Sequence, residues 1–376
     1  MLIRIADCTL DRVIWRDEDG IWIESSNLQE AVKTQKARRN APFLPVRALR
    51  KASQRLGLRR SFKEKVLFLG EADLAYDVYE EGKPLVKDIT IPTNFQRKFS
   101  ICHGIDIIDG GRVPKSLPNF KKHVSILQPF AFLFSELERY YYEETYELSS
   151  ELLSVVGIPR HEPAWIDRLQ AEDESEIAKL PNRFIGLISR PHNANYLPVD
   201  RKIRALKALK AVASELGIPI VLKRHPKQKH HQHERPREEE FYESIFGAAE
   251  FGKDWFETKA HWLALGPRCV FALSFYSGVV TDMAVLGVPT VEWLDLKGLP
   301  KYDNDFALRE PDGTPVFSYR YLGLVAGETT EAGLRQFALR ALENRHDTAG
   351  PMVARYRDIF GDPTGAISRV VNQICL

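Results

Sequence analysis

The stretch Ser274-Phe-Tyr-Ser277-Gly278-Val-Val-Thr-Asp282-Met-Ala-Val-Leu-Gly287-Val-Pro289-Thr-Val-Glu292 decides how this chain folds. The apolar run Val270 to Leu273 before it reads as a buried strand. A serine-rich turn then opens a short helix, Gly287 stops it, and a new strand runs to Glu292. Ser277 stands where an N-cap belongs. Such a turn offers free backbone N–H groups and hydroxyls at the positive end of a helix dipole, which suits a phosphate. An ordinary capped strand-turn-helix explains the same letters.

A second segment favours the phosphate. Ile218-Pro-Ile-Val-Leu222 reads as a buried parallel strand and ends in Lys223-Arg224-His225-Pro226. In open α/β sheets the ligand crevice lies outside the carboxyl ends of the strands, which is where these residues would stand. Pro226 holds His225 extended. Two cations and an imidazole at one strand end suit a diphosphate, although the basic run beyond, Lys227 to His233, also reads as a solvated loop.

Composition describes an ordinary globular protein, with 44% hydrophobic and 28% charged residues in 376, enough for two domains. The net charge of +2 says little about partners. No run approaches the ~18 apolar residues of a membrane span, and the start carries no secretory pattern. Cys8, Cys102, Cys269 and Cys375 lack paired spacing, which points to a reducing compartment and away from structural zinc. The expected address is the cytoplasm. Between Lys33 and Lys65, twelve Lys/Arg face one acid, Glu64, with Phe43, Leu44, Val46, Leu49, Leu56 and Leu58 among them. That stretch suits an anionic membrane surface or a polyanionic acceptor, and equally a solvated helix. The protein is therefore expected to be peripheral at the inner face of the cell membrane if the stretch docks.

Strands alternating with helices predict a doubly wound parallel sheet. A hairpin is expected around Asp17-Glu18-Asp19-Gly20, then strands at Lys65–Leu69, Phe99–Cys102, Val124–Leu127, Ala131–Phe134 and Leu153–Val156. A helix from about Ser135 to Leu152 and another from Ala164 to Leu180 complete the first unit. Pro181-Asn182 marks the boundary. Arg183–Ile188 opens a second α/β unit, with helices expected at Asp200–Leu216, Phe256–Leu265, Thr330–Asn344 and Pro351–Phe360. The domains are thus 1–181, with the basic insertion 33–65, and 182–350, with a C-terminal helical piece 351–376 that could pack back on the first.

Two Rossmann-like domains facing a cleft, with phosphate loops in the second, describe the GT-B architecture of nucleotide-sugar transferases. Tyr276-Ser277-Gly278, with Asp282 and Leu286-Gly287-Val288-Pro289, resembles the Tyr-Ser-Ser…Asp…Leu…Pro signature of CDP-glycerol glycerophosphotransferases, the teichoic-acid polymerase family. Lys223-Arg224-His225-Pro226 resembles that family's His-Pro motif, shared with bacterial sialyltransferases and capsular Kdo transferases. Gly157-Ile158-Pro159-Arg160 is similar to its Gly-x-Pro-Arg motif, and His103-Gly104 to its His-Gly motif. The four pieces keep the family's order. The chain departs from the pattern at Gly278, at His161-Glu162 where the family has Asn-Asp, and in lacking a Trp before His103.

The resemblance implies an inverting transferase that moves a sugar or glycerol-phosphate unit from a CDP- or CMP-activated donor to a surface-polysaccharide or lipid-linked acceptor. His103 would be the base. His225, with Lys223 and Arg224, would neutralise the leaving phosphate, held also by Ser274, Ser277 and Gly278. Arg160 would reach the diphosphate from the first domain. Asp282, pointing away from Ser277 on the helix, is by resemblance a further catalytic residue, orienting His225, and Glu292 suits a ribose hydroxyl. No cofactor, metal or nucleic acid is expected; His230, His231 and His233 have poor ligand spacing. Alternatives are a UDP-sugar-using GT-B enzyme, an epimerase-like enzyme, and a non-catalytic nucleotide-sugar-binding module.

Overall fold

The computed structural model describes residues 130–376, apart from 147–148, 194, 225–237, 301, 306 and 376, together with four strands nearer the start. Strands β1 (Val13–Arg16) and β2 (Trp22–Ser25) pair antiparallel, Val13 opposite Ser25, as the hairpin reading expects. The basic stretch 33–65, His103 and the strand expected at Val124–Leu127 lie outside the described residues.

A first parallel sheet sets β3 (Val66–Leu69), β4 (Arg97–Ile101), β5 (Phe130–Leu133) and β6 (Leu153–Val155) side by side in chain order. Helix α1 (Glu136–Tyr146) lies between β5 and β6 in sequence, shorter than expected. After β6 a turn at Pro159–His161 leads to α2 (Pro163–Glu172) and α3 (Glu174–Ile177). The single helix expected from Ala164 to Leu180 breaks at Asp173. Its carboxylate accepts the backbone N–H of His261, a partner 88 residues away that local sequence does not show.

The second sheet contains β7 (Phe184–Ile188), β8 (Ile220–Lys223), β9 (Trp255–Glu257), β10 (Cys269–Ser274), β11 (Thr290–Glu292) and β12 (Ala326–Gly327). Its spatial order is β12-β11-β10-β7-β8-β9, with every neighbouring pair parallel. The chain moves outward from β7 to β9, returns to β10 beside β7, and moves outward again. The order therefore reverses between β7 and β10, and a crevice opens at their carboxyl ends.

Helices α4 (Val199–Leu216), α5 (Glu238–Phe246), α6 (Trp262–Leu265), α7 (Val279–Val285), α8 (Ser318–Tyr321) and α9 (Glu331–Glu343) connect or follow these strands. On α4, Ala205, Leu206, Leu209, Val212 and Ala213 form one apolar stripe, buried in a core with Phe271, Leu273, Val291 and Phe337. Truncating a side chain such as Leu209 to Ala there would cost about 2–5 kcal/mol. On the opposite face, Trp262, Met283 and Val288 pack with Phe184 and Ala272.

Two expected boundaries are corrected. Phe256 is strand, not helix: it pairs with Val221 across β8, and the helix starts only at Trp262, where the His261 ring accepts the N–H of Leu263 at 3.2 Å. Helix α10 (Arg345–Phe360) begins six residues before Pro351, because the Asn344 side chain accepts the N–H of Asp347 and caps it. Gly350 has no Cβ to meet the ring of the following proline, which helps the helix run through. Gly361, at φ 72°, then ends it, and α11 (Ala366–Cys375) follows as a separate helix. Among the described residues no helix is long and apolar enough to cross a membrane.

Candidate active site

The crevice is built from the two strand ends at the reversal. Beyond β10, Tyr276 sits at φ 63°, a left-handed conformation that costs a non-glycine residue roughly 1–3 kcal/mol. Both its peptide groups are engaged. The Arg190 guanidinium, from the loop after β7, donates to the Tyr276 carbonyl, and Glu292 at the end of β11 accepts the Tyr276 N–H. The ring stacks on Phe317 at 4.2 Å. Arg190 also lies 5.5 and 5.3 Å from the ring centres of Tyr196 and Tyr276. Behind it, the buried Lys202 ammonium donates to the Arg190 carbonyl (2.7 Å) and the Tyr242 hydroxyl (3.0 Å), while Tyr242 also meets the Ser189 hydroxyl. The loops after β7, β10 and β11 are thus tied into one frame.

Ser274 and Glu292 stand opposite each other in register, so their side chains share a face of the sheet. Both are buried, and among the described residues the Ser274 hydroxyl and Glu292 Oε2 have no hydrogen-bond partner. Burial pushes the Glu292 carboxyl up to about 7, with Arg320 and Arg190 pulling against it. Helix α7 starts at Val279, so Gly278 rather than Ser277 occupies the cap position. Ser277 nevertheless accepts the N–H of Val279 at 3.4 Å.

Asp282 is the centre of a buried cluster that joins the Gly157–Glu162 segment to α7. Arg160 Nε donates to Asp282 Oδ1 at 2.9 Å, and its Nη2 reaches the Gly278 carbonyl (3.5 Å) and the Thr281 hydroxyl (3.4 Å). His161 Nε2 lies 2.7 Å from the same Oδ1, and its Nδ1 lies 2.7 Å from the Tyr356 hydroxyl. Burial alone would raise the Asp282 pKa, but the Arg160 charge and the His161 hydrogen bond outweigh it and hold it at about 2. Burial lowers the His161 pKa, so its ring is neutral at pH 7. A carboxylate only accepts, so Nε2 carries the proton and Nδ1 accepts from Tyr356.

Lys223 and Arg224, at the end of β8, have protein partners. Lys223 Nζ donates to the Ala260 carbonyl at 2.6 Å, and burial lowers its pKa. Arg224 pairs with Glu257 at 2.6 Å. The structure thus brings Ser274, Ser277, Gly278, Asp282, Glu292 and Arg160 together around the reversal. His225 and His103 lie outside the described residues.

Sequence reasoning misses His161, Tyr356, Arg190 and Lys202 as structural partners of this site. His161 was visible as a departure from the family pattern, whereas Tyr356 lies 195 residues from its partner and carries no local signal.

Two parallel sheets, the second reversing its order at the serine turn, make this a GT-B-type fold. Among solved structures the chain is similar to the wall teichoic acid polymerase TagF, with TM-score 0.52 and 15% identity over 75% of this chain and 68% of that one. A variant of that polymerase soaked with CDPG gives TM-score 0.50 and 16% identity over the same shares, 75% and 68%. WaaG, a glycosyltransferase involved in lipopolysaccharide biosynthesis, follows at TM-score 0.40 and 13% identity, over 74% of this chain and 78% of its own. At these identities the likeness is one of fold. A scan against protein-family models finds no match, and neither does a search of curated proteins.

Proposed function

We propose that the chain is an inverting transferase that moves a sugar or glycerol-phosphate unit from a CDP- or CMP-activated donor to a surface-polysaccharide or lipid-linked acceptor. One observation carries this reading: the Ser274–Gly278 turn stands at the sheet reversal, framed by Arg190 and backed by the Arg160–Asp282 pair. The fold shared with a polymerase soaked with CDPG supports a cytidine donor.

On this reading the donor diphosphate lies on Ser274, Ser277 and Gly278, with Lys223, Arg224, His225 and Arg160 supplying positive charge, and Glu292 takes a ribose hydroxyl. The acceptor oxygen forms the new bond as the bond to the departing nucleotide phosphate breaks. The electron pair leaves with the nucleotide, and the acceptor proton passes to His103. Asp282 acts at one remove, fixing α7 through Arg160 and His161.

Thermal shift with CDP-glycerol, CMP-sialic acid, CMP-Kdo and UDP-sugars tests the donor. A ligand at 100 times its Kd stabilises by about 2.7 kcal/mol, a readily measured shift. Stabilisation by the cytidine donors alone is the expected result, and an equal response to UDP-sugars would move the assignment to a uridine donor. No response to any of them overturns the reading. Binding without donor consumption across a broad acceptor panel would make the chain a non-catalytic module.

A further inference from the structure

A cavity of about 320 Å³ has none of the Ser274–Gly278 residues in its lining. Trp293 follows Glu292 in the chain, and successive side chains of a strand point to opposite faces. Glu292 therefore belongs with Ser274, whereas Trp293 joins the α4–α9 core with Tyr196. These two rings wall the cavity, together with Arg201, Arg204 and Lys207 of α4 and Asp295 beyond β11.

Its charges are sorted. Arg201 is committed to Asp295, donating to its backbone carbonyl and standing 3.9 Å from its carboxylate. Arg204 and Lys207 are exposed, and among the described residues neither makes a hydrogen bond or ion pair. The cavity runs alongside α4, past Arg201, Arg204, Lys207 and Ala208, and meets the first turn of α9 at Glu331, so α9 directs its positive end toward it. An anion gains from the free cations and the α9 dipole. The Asp295 and Glu331 carboxylates in the lining can accept hydrogen bonds from hydroxyl groups, and the edges of Trp293 and Tyr196 give the C–H groups of a sugar or polyol an apolar surface.

We propose that this cavity is a binding site for a phosphorylated sugar or polyol unit, separate from the donor turn. The cations and rings of the cavity are distinct from the serine turn, so this site and the transferase activity can be present or absent independently.

Calorimetry on the full chain at low salt tests it, with glucose 6-phosphate, glucose and CDP as probes. Glucose 6-phosphate is expected to bind wild type at least about tenfold more tightly than glucose. Replacing both exposed cations (Arg204→Ala with Lys207→Ala) should weaken glucose 6-phosphate about tenfold or more, since each charge-assisted contact to phosphate is worth that order. Binding of CDP, the probe of the serine turn, should not change in that variant. A glycerol-phosphate oligomer run alongside separates the sources: tighter binding than the monomer marks a polymer unit, and equal binding marks a free metabolite. Three results would overturn the proposal. These are glucose binding as well as glucose 6-phosphate, unchanged glucose 6-phosphate affinity in the double variant, or a parallel loss of CDP binding that merges the cavity with the donor site. Circular dichroism of the variant, whose changed residues are surface side chains, confirms that it is folded.

Discussion

Burying Glu292 at the end of β11 ties proton binding to folding. Its pKa rises from 4.5 to about 7, so the folded state holds the proton more tightly than the unfolded chain. The stability this brings is complete below about pH 4.5 and is lost as pH rises through 7, at about 1.4 kcal/mol per unit. Urea unfolding should therefore give a free energy roughly 3 kcal/mol lower at pH 8 than at pH 4.5, and Glu292→Gln should flatten that slope. Asp282 has the opposite sign. Its pKa falls to about 2, so its contribution is present above pH 4 and is lost only as pH falls toward 2. For catalysis, His225→Ala should lower donor turnover by about 10²–10³, the value of one preorganised group at a developing oxyanion. Wild-type turnover in a folded variant would remove His225 from the site.

Among the elements, α10 carries an evident defect. Pro351 lies inside the helix on an exposed face, where it cannot bond to the carbonyl four residues back. Pro351→Ala should stabilise the protein by about 1–3 kcal/mol in urea titration, since an interior proline costs about 3. Helix α11 depends on a remote cap: the Glu162 carboxylate accepts the N–H groups of Gly365 (2.8 Å) and Ile367 (3.2 Å). Glu162→Ala should cost about 1–2 kcal/mol. Elements of this kind separate what local sequence can reveal from what it cannot. Four strands of the second sheet, β7, β8, β10 and β11, were legible because each is a short apolar run stopped by glycine, proline or a polar turn, whereas the two-residue edge strand β12 (Ala326–Gly327) leaves no such run. The turn at Ser274–Gly278 was legible for the same reason. Phe256 was misread because the edge of β8 recruits it, and no local periodicity records a pairing. His161 and Tyr356 were illegible as partners because their chemistry exists only once two distant segments meet at Asp282.

Across the whole molecule, the Gly157–Glu162 segment is a tie. It follows the last strand of the first sheet, grips α7 through Arg160, meets α10 through the His161–Tyr356 hydrogen bond, and caps α11. The Arg369 side chain returns the contact by donating to the Val156 carbonyl at 3.0 Å. Asp282→Ala would leave Arg160 without its buried counter-charge, at a cost of about 3–5 kcal/mol. Calorimetry should then resolve one cooperative transition in wild type into two in the variant, as the halves melt apart. The hidden amine of Lys202 has another use. Enclosed by Tyr242 and the Arg190 carbonyl, it is sealed from acylating reagents while the second sheet stays closed. In a timed labelling experiment read by mass spectrometry, surface lysines such as Lys207 would react at once. The peptide carrying Lys202 would react only at the rate at which this half of the protein opens, a built-in clock that needs no engineered probe.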